Sequence, residues 1–304
     1  MNKTILTVSL SLFTAFAMNA QLLDVVSMEK VKLPQGVEAE QMLLSPDAKT
    51  MAFTDFHGTL SVLDRTTQKV SPISKEGSMM DLAFTADGSN IVYREHSYDK
   101  NSRRLVAVKS YDIAKASNRV ISAPSHRLEA VDVRGVSALT VDNGRAKVVR
   151  AAVTPAAVEK QWPVTSIERG LLYITENGQR RLVSPLGTDG MSYMWASISP
   201  DGNRLLFFAA GYGTYTCTLE GKDMHRLGYI YAPVWYDNNT VVGMKTKDDG
   251  RVTYEGRIVA SNAEGTVFQT LTDDSLIAVL PSAAPGRIAF TTTDGKAYIL
   301  NIKK

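Results

Sequence analysis

A strand–turn–strand unit recurs along this chain, and a fixed repeat limits the available folds more than any other sequence feature. In SISPDGNRLLFFAA, residues 197–210, a polar Pro-Asp-Gly turn separates two apolar runs. MLLSPDAKTMAFTD at 42–55 and LAFTADGSNIVYRE at 82–95 repeat the arrangement, and VWYDNNTVVGMKT at 234–246 and VLPSAAPGRIAFTT at 279–292 are weaker forms. The turn chemistry is local. An Asp carboxylate accepts from the backbone N–H two residues on, and Gly permits positive φ. One such hairpin is marginal in water, so each copy needs further sheet around it.

Longer copies supply that sheet. TLSVLDRTTQKVSPISKEGSMMDLAFTADG, starting at Thr59, and LLYITENGQRRLVSPLGTDGMSYMWASISPDG, starting at Leu171, share one order: strand, polar turn, basic strand ending in Val-Ser-Pro, loop, then the next unit's first strand. The repeat therefore has four strands, named a to d from the axis outward. Its units are read at residues 39–74, 78–122, 128–185 with an insertion, 191–228, 229–272 and 276–302. The last unit ends after its third strand. VVSMEKVKLP at 25–34 alternates apolar and polar residues and belongs to no other unit, so it is expected to supply the missing strand. The fold class expected is all-β: a six-bladed β-propeller of four-stranded antiparallel blades, closed by an N-terminal strand completing the last blade.

The Ser-Pro-Asp turns at Ser45, Pro46 and Asp47 and at Ser199, Pro200, Asp201 and Gly202, each followed by an Ala-Phe or Phe-Phe strand, resemble the WD-like propeller repeats of the TolB family and of dipeptidyl peptidase IV relatives. The resemblance implies the propeller and spans nearly the whole mature chain. The additional α/β domain that TolB proteins carry before the propeller has no counterpart residues here.

Residues 1–20 read as a signal peptide: Lys3 precedes an apolar run from Ile5 to Ala17, and Ala20 offers a cleavage point. The run is shorter than the roughly 20 apolar residues a membrane-spanning helix needs. Residues 21–304 are then a single exported propeller domain, periplasmic or extracellular, not membrane-spanning and monomeric. Cys217 is the only cysteine, so no internal disulfide forms, and its apolar setting reads as a small core residue. Lys and Arg total 34 against 31 acidic residues, with no long run of one sign, so the linear sequence marks no nucleic-acid partner.

In a propeller the interblade connections and the b–c turns open on one face, here called the loop face, and the a–b turns on the other, the turn face. This sorting places His57, His96 and His126 on the loop face. Their spacing matches no metal motif, and no metal or other cofactor is expected. Tyr193, Tyr212, Tyr229 and Tyr231 fall in or beside the loops of the fourth and fifth units, where rings can stack on sugars or anchor peptide side chains. Trp195 and Trp235, on innermost strands, read as packing between blades. Two long interruptions, at 94–104 and 142–169, enlarge the same face.

The sequence has no G-x-S-x-G elbow, P-loop or paired-cysteine zinc motif, and no catalytic residue is assigned. Glu95, Asp99, Asp189, Asp248 and Asp249 lie on the loop face. If they converge, they would make a carbohydrate-active hydrolase or lyase. The function expected is a non-catalytic binding or scaffold module for a peptide, glycan or cell-envelope protein held on that face, with the carbohydrate-active enzyme as the alternative.

Overall fold

The computed structural model describes residues 21–303 apart from residue 76 and residues 153–156, and the signal peptide read at 1–20 lies outside the described residues. The chain opens with β1 (Val25–Lys30). Blade 1 holds β2 (Gln41–Leu44), β3 (Thr50–Thr54), β4 (Leu60–Asp64) and β5 (Lys69–Ser74), and blade 2 holds β6 (Gly77–Phe84), β7 (Asn90–Tyr98), β8 (Arg104–Asp112) and β9 (Ser117–Ser125). Blade 3 has β10 (Leu128–Arg134), β11 (Ser137–Asp142) and β12 (Arg145–Arg150), and blade 4 has β13 (Val164–Glu168), β14 (Leu171–Glu176) and β15 (Gln179–Leu182). Blade 5 is β16 (Tyr193–Ile198), β17 (Arg204–Ala209), β18 (Gly213–Thr218) and β19 (His225–Gly228). Blade 6 is β20 (Tyr231–Trp235), β21 (Thr240–Asp248), β22 (Thr253–Asn262) and β23 (Phe268–Thr270). Blade 7 is β24 (Ala278–Ala284), β25 (Arg287–Thr292) and β26 (Ala297–Ile302), with β1 running antiparallel beside β26 in a register that sets Met28 opposite Leu300.

The described residues thus form a β-propeller of seven blades, which corrects the expected six. The core gives the same number independently. Seven buried clusters lie one at each blade boundary, from the Met42, Met51, Phe53 and Ile299 cluster between blades 7 and 1 to the Leu206, Leu227, Ile230 and Val241 cluster between blades 5 and 6. Each strand alternates its side chains between the two faces of its blade, and both faces are covered, so the strands read as apolar runs.

The miscount arose at residues 128–185, read as one unit with an insertion. Two tight hairpin turns, Asn143-Gly144 and Asn177-Gly178, each have two successive residues at positive φ, the geometry that joins paired strands through two residues. Each joins the last two strands of a separate three-stranded sheet, and the segment read as an enlarged loop at 142–169 contains β12 and β13. Neither of these blades is four-stranded.

Strand parity dictates how the chain passes through them. After β10, β11 and β12 the chain is on the turn face, where Gly135 O already accepts from Ala86 N (2.8 Å) and where Glu159 N donates to Ser137 Oγ (2.9 Å). Strand β13 must then run from the turn face to the loop face, opposite to the other innermost strands. Thr165 Oγ1 donates to Ala196 O (2.9 Å), and Gly170 O accepts from Tyr193 N (2.9 Å). Strands β13, β14 and β15 together return the chain to the loop face for blade 5.

The a–b turns are held as the sequence suggests. Ser199 Oγ donates to Asp201 Oδ1 (2.6 Å), which also accepts from Asn203 N (3.2 Å), and the same side-chain bond joins Ser45 to Asp47 (2.7 Å) and Thr85 to Asp87 (2.6 Å). Asp201→Ala is expected to cost about 1 kcal/mol and to leave loop-face binding unchanged. Urea unfolding and partner affinity, measured on the same variant, check both halves of this expectation.

Candidate functional site

The loop face at blades 5 and 6 is built on an unusual backbone. Trp195 and Ala232 have φ of 47° and 45° inside bulges of the innermost strands β16 and β20. A bulge re-aims one side chain out of the strand's alternation. Trp195, read as interblade packing, instead leaves 43% of its surface exposed. Its ring meets Phe208 edge-on (centroids 5.3 Å apart) and Tyr231 (6.5 Å), and Phe208 lies 5.2 Å from Tyr231. Trp235 does pack as expected, against Leu206, Val241 and their neighbours.

A second group forms over the β17–β18 turn. Tyr212 and Tyr229 are 50% and 43% exposed, and the Arg226 guanidinium sits 5.4 Å from the Tyr229 ring centre. Tyr229 donates its hydroxyl proton to Gly211 O (2.6 Å), and Arg226 Nε donates to Tyr212 O (3.1 Å). Glycine at 213 makes this approach possible, since its φ is 103° and a Cβ there would stand 2.6 Å from Gly228 O. The Tyr229 ring and the Tyr212 backbone are thus fixed before any ligand arrives, which lowers the entropy cost of binding.

Tyr193 does not join them. It is 1% exposed, its ring packs edge-on against Phe207 (5.4 Å), and its hydroxyl accepts from Leu186 N (2.7 Å) and donates to Gly187 O (3.0 Å). With its polar tip occupied and its ring in the core, it cannot meet a ligand, which corrects the sequence assignment. Tyr231 is half-buried, Tyr212 and Tyr229 are exposed, and all three stay on the loop face.

The histidines are not brought together. His57 is exposed in a turn whose Asp55 Oδ1 accepts from His57 N and Thr59 N (both 2.9 Å). It lines a cleft of about 310 Å³ with Glu38, Phe53, Phe56 and Val70. His96 is half-buried on the long β7–β8 hairpin, opposite Val106. His126 pins that hairpin: Nδ1 is 2.7 Å from Arg104 O and Nε2 is 3.2 Å from Asp99 Oδ2. Among the described residues no three His, Cys, Asp or Glu side chains are grouped to hold a metal. Cys217 is buried, which pushes its thiol up to about 12 and keeps it unreactive.

Four of the five loop-face acids are engaged locally. Glu95 pairs with Lys109 and accepts from Ser74 Oγ (2.9 Å), and Asp99 is held by Arg103, His126 and turn amides. Asp248 and Asp249 accept from the N–H groups of Gly250, Arg251 and Val252. The carboxylates that do influence each other are Asp81 on β6 and Asp132 on β10, which sequence reasoning passed over because neither sits in a turn or motif. Asp81 has φ of 56° in a bulged strand and pairs with Arg94, while Asp132 Oδ2 accepts from Trp162 Nε1 (2.6 Å) and lies 3.7 Å from Arg134 Nε.

Burial pushes both carboxyls above the ordinary range, and the Asp132 charge adds to the push on Asp81. Asp132 is nevertheless 41% exposed at its side chain, so it is surrounded by protein yet still wetted, and that water moderates the push. A raised folded-state pKa means that the stabilising contribution is present in acid and is lost as pH rises through it. The turn acid Asp201 has the opposite sign: the Ser199 hydrogen bond lowers its pKa, so its contribution is lost as pH falls. Asp132→Asn keeps an acceptor for Trp162 and is expected to melt above the wild type at neutral pH, with the gap closing in acid. A variant that melts below the wild type at neutral pH contradicts this.

No protein-family model matches the chain, and no curated protein matches it. Solved structures do resemble it. They include the structure of U3-55K (8% identity, TM-score 0.59, covering 92% of this chain and 99% of that one). The WD40 repeats of RRP9 share 9% identity at a TM-score of 0.58, covering 93% of this chain and 99% of that one. The Cps50 (Swd1) β-propeller domain of Myceliophteria thermophila shares 11% at 0.55, covering 91% and 100%. At such identities the likeness concerns the fold alone: this chain folds as a β-propeller.

Proposed function

We propose that this protein is an exported, non-catalytic β-propeller that binds a peptide, glycan or cell-envelope protein on its loop face, with Tyr212, Trp195, Tyr229 and Tyr231 as the contact. The observation that carries this reading is the cluster of exposed and half-exposed aromatic rings at blades 5 and 6, with Trp195, Tyr229 and Tyr231 held by their contacts, since aromatic rings with polar tips are favoured anchors in recognition surfaces. The local engagement of Glu95, Asp99, Asp248 and Asp249 favours binding over chemistry at that face. No helix among the described residues is long and apolar enough to cross a membrane.

The mature chain, used as bait against glycan arrays and cell-envelope extracts, should retain a ligand that the Tyr212→Ala, Tyr229→Ala double variant loses at unchanged melting temperature. A ligand held equally by both proteins places the site elsewhere. The alternative of a carbohydrate-active enzyme moves, on this geometry, from the loop-face acids to Asp81 and Asp132. Turnover of any polysaccharide that is abolished in Asp132→Asn would replace the binding reading.

A further inference from the structure

The sequence disperses its basic residues, but the fold gathers some of them. Strands β7 and β8 are both nine residues long, against four to six in most strands of the ring, and their distal ends are exposed. The exposed end is a few residues deep, so the hairpin stands on the order of 10 Å proud of the loop face at 3.3 Å per residue. Tyr98, 66% exposed, faces Arg104 across the two strands, and the tip beyond them carries Lys100 and Arg103.

Hydrogen bonds tie this arm to blade 3. Arg104 O accepts from His126 Nδ1 (2.7 Å), and the next residue, Arg127, donates from Nη1 to Asn143 Oδ1 (2.6 Å) and accepts at its carbonyl from Asn143 N (3.0 Å). The Asn143-Gly144 turn leads directly into Arg145. Residues from three separate stretches thus form one continuous exposed arc: Lys100, Arg103, Arg104, His126, Arg127 and Arg145.

The acids within the arc are already committed. Asp99 is held by Arg103, His126 and the amides of Asn101 and Arg103, and Asp142 Oδ1 accepts from Ser125 Oγ (2.6 Å). Lys100, Arg104, Arg127 and Arg145 have no carboxylate partner among the described residues. They are positive charge held at one edge of a chain whose formal net charge is only +3.

We infer that this arc is a docking surface for an acidic protein partner, separate from the aromatic set at blades 5 and 6. Charge complementarity selects the sign of the partner, and arginine forks suit its carboxylates. The shape selects its class. Small ligands and short glycans are taken into concave sites, whereas this is a projecting arm with a tyrosine and arginines at its crest, the residue types enriched in protein interfaces. Neither the cleft beside His57 nor the small apolar opening near Leu44 and Ala284 includes any residue of the arc.

The test uses the mature chain and a fluorescent poly-glutamate peptide as probe. Lys100→Glu, Arg104→Glu and Arg145→Glu combined should weaken binding by about tenfold or more and flatten its salt dependence. A charge-matched control, Lys32→Glu, Lys69→Glu and Lys222→Glu, should stay within about twofold of the wild type. The triple glutamine variant of the arc, gentler on folding, should fall between wild type and the glutamate triple. The Tyr212→Ala, Tyr229→Ala variant should bind the probe normally, which separates failure of this surface from failure of the aromatic site. Equal weakening by arc and control variants would reduce the effect to net charge and overturn the inference. A sulfated heparin fragment of matched charge that binds the arc more tightly than poly-glutamate would overturn it in favour of an anionic polysaccharide.

Discussion

Truncating the chain to begin at Gln35 is expected to cost about 5 kcal/mol or more, which is comparable to the whole stability of many domains. The removed segment carries Leu23 and Val31, which are 5% and 3% exposed and belong to the clusters on either side of blade 7. Burying each is worth about 1.5–3 kcal/mol. The truncation also removes the β1–β26 ladder, the Gln269 bonds to Leu22 N and Leu23 N (both 2.9 Å), and the bond from Lys303 N to Asp24 O (2.8 Å). It leaves β26 with an unpaired edge, the feature that templates aggregation. Urea unfolding with gel filtration measures both consequences. A truncated chain with the full-length midpoint and a monomeric profile would show that β1 contributes nothing to holding the ring.

Trp162→Ala is expected to cost about 3–5 kcal/mol, the usual range for deleting a buried tryptophan. Trp162 is 6% exposed and joins Ala130, Leu139 and Val141 of blade 3 to Val164 of blade 4, so it seals the boundary between the two three-stranded blades. Its indole N–H is also the short donor to Asp132, and its ring lies 5.6 Å from the Arg134 guanidinium. Losing it opens a cavity and leaves an Asp132 oxygen short of a donor. Trp162→Phe separates the two effects, because it restores most of the volume without the N–H. If the alanine variant melts like the wild type, the boundary between blades 3 and 4 is not sealed in this way.

Much of the ring was legible in the sequence because its information is local. Ser or Thr followed two residues later by Asp appears at Ser45, Thr85 and Ser199, and each pair closes its turn by the bond that its chemistry allows. The apolar runs beside these turns reported strands covered on both faces, and the unassigned alternation at Val25–Lys30 reported a strand in need of a neighbour. The loop-face positions of Tyr212 and Tyr229 followed from counting strands within one repeat.

Tertiary structure decided what depends on contacts between distant segments. Whether residues 128–185 make one blade or two turns on whether Trp162 and Val164 can build a core of their own against β10 and β11, and no local pattern encodes that partner choice. The bulges that turn Trp195 outward and set Asp81 beside Asp132 are register shifts between strands, invisible in a linear alternation. Tyr193 and Tyr231 look alike in sequence, yet one hydroxyl meets Leu186 N and Gly187 O in the core and the other ring stays half-exposed. The basic arc has the same origin: Lys100, Arg104, Arg127 and Arg145 are scattered along the chain and become one surface only where His126 and Asn143 tie their segments together. The chain itself determined the repeat and its turns, because those depend on neighbours within a few residues. Blade number, ring exposure and the charged surface depend on which strands pack against which, and only the closed ring decides that.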